Sequence, residues 1–82
     1  MRFLDFYEKV QHRFSYEGAR ELYSFLKEMG ADASKLVELS EDYKEFESWR
    51  DAMKYFGMSK AKISDEYLII PCVDDHVVIE IN

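Results

Sequence analysis

Four residues near the end of this chain carry side chains capable of catalysis or metal binding: Cys72, Asp74, Asp75 and His76. A thiol beside an imidazole is a pairing used in nucleophilic catalysis, and Cys, His and carboxylates are ligands of zinc. A structural zinc site needs about four ligands, and no second Cys or His pair accompanies this group. Two consecutive aspartates are also typical of a turn, and a lone cysteine is a small apolar side chain suited to a core. The sequence therefore favours a turn here and predicts a protein that is not an enzyme and uses no metal or cofactor.

The more prominent pattern is a run of acidic residues, interleaved with aromatic ones, from position 38 to position 51. This stretch contains six acidic and two basic residues, so it carries four of the six net negative charges. Carboxylates spaced along a surface can imitate nucleic-acid phosphates, and aromatic rings beside them supply apolar anchors for a partner. The predicted partner-binding residues are Glu38, Glu41, Asp42, Tyr43, Glu45, Glu47 and Asp51. The alternative interpretation is a solvated acidic loop, with Phe46 and Trp49 in the core.

Composition limits the class of protein and the class of partner. With 82 residues, 48 % of them apolar and 16 % aromatic, the chain predicts a single folded domain over residues 1–82. A net charge of -6 disfavours direct binding to nucleic acid or to an anionic membrane, and it favours a partner with a basic surface. One cysteine, no signal-peptide pattern and no apolar run of about 20 residues predict a cytoplasmic protein.

Two helices are predicted at the start of the chain. Apolar residues recur at helical spacing over residues 2–13, which predicts a first helix. Ser15 is the predicted N-cap of a second helix that runs from about Tyr16 to Met29. Gly30 follows as the residue that ends it, because glycine adopts the left-handed conformation without steric cost.

The middle of the chain predicts one strand and one helix. Lys35–Ser40 is a short apolar run typical of a strand, and the acidic residues 41–45 after it are either a loop or an extension of that strand. Ser48 and Asp51 then form a pair resembling a capping box, which predicts that a third helix begins at Trp49.

The end of this third helix is predicted at Gly57, by the same reasoning as for the second helix. An alternative assignment begins the helix earlier, at Glu41, and also gives a helical apolar pattern. The cap at Ser48 favours the shorter helix.

The last quarter of the chain predicts a β-hairpin. Met58–Glu66 is polar and is predicted to be a connector, with Ile63 touching the core. Tyr67–Cys72 and His76–Ile81 are the second and third predicted strands, and the latter places Val77, Ile79 and Ile81 on one side and Val78 and Glu80 on the other. Val73–Asp75 is the turn that makes the two strands antiparallel.

The predicted fold is a single α+β domain with the element order α-α-β-α-β-β. It contains a three-stranded, largely antiparallel sheet, with the helices packed on one face.

Three short motifs resemble a group of small acidic proteins common in phages and mobile elements of Gram-positive bacteria. They are Phe14–Gly18 (FSYEG), Glu45–Ser48 (EFES) and Tyr55–Gly57 (YFG). The chain departs from the group at Leu36–Ser40, where the group tends to have a run rich in Ile and Cys. The resemblance implies a phage or mobile-element accessory protein that interferes with host defence. The group has no firmly established activity, so no functional residues are carried over.

Three hypotheses of function follow. The first is an inhibitor that binds a host nucleic-acid-processing or defence protein through the acidic residues of positions 38–51, imitating DNA. The second is a homodimeric structural or regulatory protein that pairs through exposed aromatic residues or through an edge strand at Ile79. The third and least favoured is a small enzyme or metal protein built on Cys72 with His76 or His12.

Overall fold

The structure, a computed structural model, describes all residues 1–82 and has an α+β fold. Five helices accompany a three-stranded antiparallel sheet, as the sequence predicts for the fold class. In chain order the elements are α1 (Phe3–Val10), α2 (Tyr16–Glu28), α3 (Leu36–Ser40), β1 (Tyr43–Phe46), α4 (Trp49–Phe56), α5 (Lys60–Glu66), β2 (Ile69–Pro71) and β3 (Val77–Glu80). A short 3-10 turn, Ala33–Lys35, leads into α3.

The predicted hairpin is confirmed, and its second strand lies at the centre of the sheet. The strand order is β1-β3-β2, and both neighbours pair antiparallel to β3. Asp74 and Asp75 form the tip of the hairpin with φ of 55° and 65°. Aspartate tolerates this left-handed region better than most residues, which explains why an Asp-Asp turn joins the two strands.

Helices cover both faces of the sheet, whereas the sequence predicts helices on one face. The register places Val78 with Ile70 on the face that packs against α1, α2 and α3. Val77 and Ile79 point to the opposite face, where they pack with residues of α4 and α5. Three consecutive residues of β3, Val77 to Ile79, are buried, and a strand buried on both sides requires cover on both sides.

The strand predicted at Lys35–Ser40 is wrong, because this segment is a 3-10 turn followed by helix α3. The Asp32 carboxylate accepts a hydrogen bond from the Ser34 N–H at 2.9 Å, which starts the turn. Helical spacing then places Leu36 and Ser40 on one face, and both are fully buried. The chain extends only after this, so the open assignment of residues 41–45 resolves as a strand over Tyr43–Phe46.

The connector predicted at Met58–Glu66 is also wrong, because Lys60–Glu66 forms helix α5. The Ser59 hydroxyl caps it by accepting from the Lys62 N–H at 3.3 Å. Ile63 is fully buried, which confirms its predicted contact with the core. A seven-residue helix with one buried residue shows no repeating apolar pattern, so periodicity alone does not reveal it.

The predicted caps are confirmed. The Ser15 hydroxyl accepts from the Gly18 N–H at the start of α2, and the Ser48 hydroxyl accepts from the Asp51 N–H at the start of α4. Gly57 ends α4 with φ of 65°, in the left-handed conformation. The boundaries of these helices therefore follow from local sequence.

Candidate functional site

Strand β1 divides the predicted acidic surface into two parts. Glu38 and Glu41 are exposed before the strand begins, and Glu47 and Asp51 are exposed after it ends. Asp42 is half-buried, and its carbonyl accepts from the Ile81 N–H at 2.7 Å. An extended chain rises about 3.4 Å per residue, so Glu41 and Glu47 lie up to roughly 20 Å apart. The seven predicted residues therefore do not form one continuous surface.

Tyr43 lies in the core. Its position in β1 points it to the face covered by α1, α2 and α3, and the residue is only 5 % exposed. Burial, together with the charge of Glu80, raises the pKa of the Tyr43 phenol to about 12. The side chain therefore contributes to the core and exposes little surface to a partner.

Glu45 also points to this interior face, and its carboxylate joins three segments of the chain. One oxygen, Oε1, accepts from the Ser15 N–H at 2.8 Å. The other, Oε2, accepts from the Ser15 hydroxyl at 2.7 Å and lies 2.6 Å from Nδ1 of His76. The Glu45 side chain is 7 % exposed. A carboxylate at this position is also favoured by the partial positive charge at the N-terminus of α2.

Gly18 allows the Glu45 carboxylate to approach helix α2. A Cβ atom built on Gly18 would lie 2.0 Å from Oε1 of Glu45, far inside van der Waals contact. The FSYEG motif therefore has a structural explanation here, because its serine binds the carboxylate and its glycine leaves the space that the carboxylate occupies.

His76 is part of this network. Its side chain is 30 % exposed, so it exchanges protons with solvent while it contacts Glu45. The hydrogen bond to Glu45 raises the pKa of His76 above its ordinary value of 6.5, and the negative charges of Glu45, Glu47 and Asp74 add to this effect. His76 is therefore a cation over a wider pH range than an isolated histidine.

The Cys72 thiol is half-buried and does not contact the imidazole in a catalytic arrangement. Its Sγ lies 3.6 Å from the Ile70 carbonyl oxygen, while Nδ1 of His76 contacts the Glu45 carboxylate. Burial raises the pKa of Cys72 to about 11, with a further contribution from nearby carboxylates. A thiol with this pKa is protonated at neutral pH and is a poor nucleophile. No group of three or more Cys, His, Asp or Glu side chains is arranged to hold a metal ion.

Carboxylates from three separate segments converge around Cys72 and His76. Glu17 and Glu21 on α2 act on the thiol, and Glu47 and Asp74 act on the imidazole. All four are exposed, and we call this set the acidic end of the molecule. Of the four, only Glu47 belongs to the predicted surface. The other three are distant in sequence, although the spacing of Glu17 and Glu21 by four residues does indicate one helix face.

The opposite end of β1 borders an open cleft of about 380 Å³. It is lined by His12, Arg13, Glu41, Tyr43, Lys44 and Ile81. The Arg13 guanidinium donates to the Ser40 carbonyl at 3.1 Å and to the Ser40 hydroxyl at 2.8 Å. Two of the predicted residues therefore lie beside a cleft whose arginine holds α3 in place.

Comparisons of the chain with protein-family models, curated proteins and solved structures found no match. None of the five helices has both the length and the apolar character needed to cross a membrane.

Proposed function

We propose that this protein is a non-enzymatic binding protein whose acidic end attaches to a basic surface on a nucleic-acid-processing or defence protein of the host. The observation that carries the proposal is that the start of α2, strand β1 and the hairpin tip meet through the contacts of Glu45 with Ser15 and His76, which brings Glu17, Glu21, Glu47 and Asp74 to one end of the fold. The host context and the inhibitory role rest on the resemblance to small acidic phage proteins.

The geometry of the acidic end supports binding to a cationic surface. Its carboxylates come from a helix, a loop and a hairpin tip, and together they present several negative charges to a partner, as the phosphates of a nucleic acid do. Val73 lies at the same hairpin tip and is 49 % exposed, which adds an apolar contact. Opposite charges speed association and fix orientation, and apolar contact adds affinity.

Charge reversal at the acidic end tests this proposal. The test variant carries Glu17→Lys, Glu21→Lys, Glu47→Lys and Asp74→Asn. Its matched control carries the same charge change elsewhere, as Glu8→Lys, Glu28→Lys, Asp65→Asn and Glu66→Lys, all at exposed positions.

Tagged protein is used to capture binding partners from host lysate, and the captured proteins are identified by mass spectrometry. Duplex DNA is then added to test whether it competes for the captured proteins. We expect the test variant to capture at least about tenfold less of a DNA-binding protein, while the control captures as much as wild type. Each lost charge contact at an interface changes affinity by an amount of this order. Equal capture by wild type and test variant would rule the proposal out.

A second candidate function is homodimerisation through helix α4. Its apolar stripe of Trp49, Met53 and Phe56 is only half-buried, and the neighbouring Tyr55 is 55 % exposed. Apolar surface of this kind, on a helix whose stripe the monomer does not fully cover, is typical of an interface. Pairing through an edge strand at Ile79 is excluded, since Ile79 is buried in the central strand. Sedimentation of the wild-type chain over a range of concentrations tests this candidate.

A further inference from the structure

The contacts of Glu45 with Ser15 and His76 connect three parts of the fold through one side chain. Glu45 lies on β1, Ser15 caps α2, and His76 leads from the hairpin tip into β3. The 2.6 Å contact to Nδ1 of His76 and the two hydrogen bonds from Ser15 all end on one carboxylate. A change at Ser15 or at His76 therefore affects the other residue through Glu45.

Burial makes this carboxylate dependent on its partners. With a side chain only 7 % exposed, Glu45 has little water to solvate its charge. The Ser15 N–H and hydroxyl and the His76 imidazole replace that water. Of these three groups, only His76 can supply a full positive charge.

Carboxylates near Glu45 and His76 increase the effect of the positive charge of His76. Glu47, in the loop after β1, and Asp74, at the hairpin tip, act on the imidazole, while Glu17 and Glu21 of helix α2 act on the Cys72 thiol. The remaining titratable group, Cys72, is a neutral thiol at physiological pH because its pKa is about 11. When His76 is neutral, Glu45 therefore lies among like charges without a cation beside it.

We propose that Glu45 and His76 form a pH-sensitive latch, which holds the β2–β3 turn and the start of α2 firmly to β1 when His76 is protonated and weakly when it is neutral. This proposal is independent of any partner. It goes beyond the proposed binding function, because it concerns how the elements that bear the acidic end are held together.

The direction of the pH effect follows from linkage. Folding raises the pKa of His76 above its ordinary 6.5, so the folded state binds the proton more tightly than the unfolded state. The stabilisation is complete below pH about 6.5 and is lost as the pH rises through the folded-state pKa. A pKa that is one pH unit higher in the folded state corresponds to about a tenfold change in the unfolding equilibrium constant.

A titration of the wild-type chain, followed by NMR, tests the latch without any substitution. The ring signals of His76 and His12 and the backbone amide signal of Ser15 are recorded from about pH 5 to about pH 9, a range that brackets the ordinary titration of histidine. We expect His76 to titrate above 6.5 and the Ser15 amide to shift with the same midpoint. His12, which is exposed and has no hydrogen bond to Glu45 or Ser15, serves as the internal reference.

A second measurement uses urea unfolding of wild type, His76→Asn and the control His12→Asn at about pH 5.5 and about pH 8.5, on either side of the histidine titration. We expect wild type to exceed His76→Asn in stability at the lower pH, with a smaller difference at the higher pH, and His12→Asn to behave as wild type at both.

A His76 midpoint at or below 6.5, or a Ser15 amide that does not follow His76, would overturn the latch. Loss of partner capture at the acidic end leaves both measurements unaffected, so the two proposals fail separately.

Discussion

At the scale of single residues, Glu45 matters more to this molecule than its place in an acidic run indicates. The sequence presents it as one of several surface carboxylates, yet its side chain is nearly inaccessible and accepts from Ser15 while contacting His76. The alternation of β1 accounts for the difference, because Tyr43 and Glu45 point to the face covered by α1, α2 and α3, while Lys44 points to the opposite face. Two predicted partner-binding residues therefore belong to the interior.

Gly18 provides a test of this network. In a helix, Gly→Ala normally stabilises by about 0.5–1 kcal/mol. Here the added Cβ would displace the Glu45 carboxylate from its hydrogen bonds, so we expect Gly18→Ala to destabilise by about 1–3 kcal/mol. Urea unfolding followed by Trp49 fluorescence measures the change.

The Glu45→Ala background supplies the control for this substitution. Without the carboxylate, the three atoms nearest to the new Cβ are removed, and Gly18→Ala is expected to become neutral or stabilising. Equal effects in both backgrounds would show that the close approach of Glu45 to Gly18 does not govern stability.

At the scale of elements, the wrong predictions of a strand at Lys35–Ser40 and of a connector at Met58–Glu66 have one physical cause. Helices α3 and α5 are short, and each buries only one or two side chains, so neither shows a repeating pattern along the sequence. Long helices such as α2 are predictable because their apolar stripe repeats, and the start of α4 is predictable from the cap at Ser48. These short helices are stabilised by packing against the sheet, which is a tertiary interaction.

Ile63 tests whether α5 is an essential cover for the second face of the sheet. It is fully buried beside Val77 and Ile79. We expect Ile63→Val to cost about 0.5–1.5 kcal/mol and Ile63→Ala about 2–5 kcal/mol, in proportion to the apolar volume removed. Urea unfolding gives both values.

Ser64→Ala, at an exposed position of the same helix, is the matched control and should change stability little. If Ile63→Ala cost no more than this control, α5 would not be a necessary part of the core.

At the scale of the whole molecule, charge is distributed unevenly over the two layers of helices. Residues 49–66, which include α4 and α5, contain four basic and three acidic residues, whereas the rest of the chain carries all of the net negative charge. Lys60 lies over the Trp49 ring, and Lys44 lies over Phe46 and Tyr55. The aromatic residues around α4 are therefore accompanied by basic side chains, whereas the acidic end consists of carboxylates.

Tyr55→Ser tests the dimer candidate, with Tyr16→Ser as its control. Tyr55 and Tyr16 are both exposed, but they lie with helices on opposite faces of the sheet. If α4 forms the interface, we expect a dimer whose dissociation constant rises at least about tenfold in Tyr55→Ser and does not change in Tyr16→Ser, because loss of one aromatic anchor at an interface has an effect of this size. A wild-type chain that sediments as a monomer at millimolar concentration would contradict this candidate.

The sequence by itself determined the α+β class, the antiparallel hairpin with its Asp74-Asp75 turn, and the caps at Ser15, Ser48 and Gly57. These features depend on interactions between residues close in the chain, whose chemistry is visible in the residue types. Only the tertiary structure decided that helices cover both faces of the sheet, that Tyr43 and Glu45 point inward, and that Glu17 and Glu21 lie near Cys72 while Asp74 lies near His76. The facing of a strand and the meeting of distant carboxylates depend on register and packing, which are set by contacts between segments far apart in sequence.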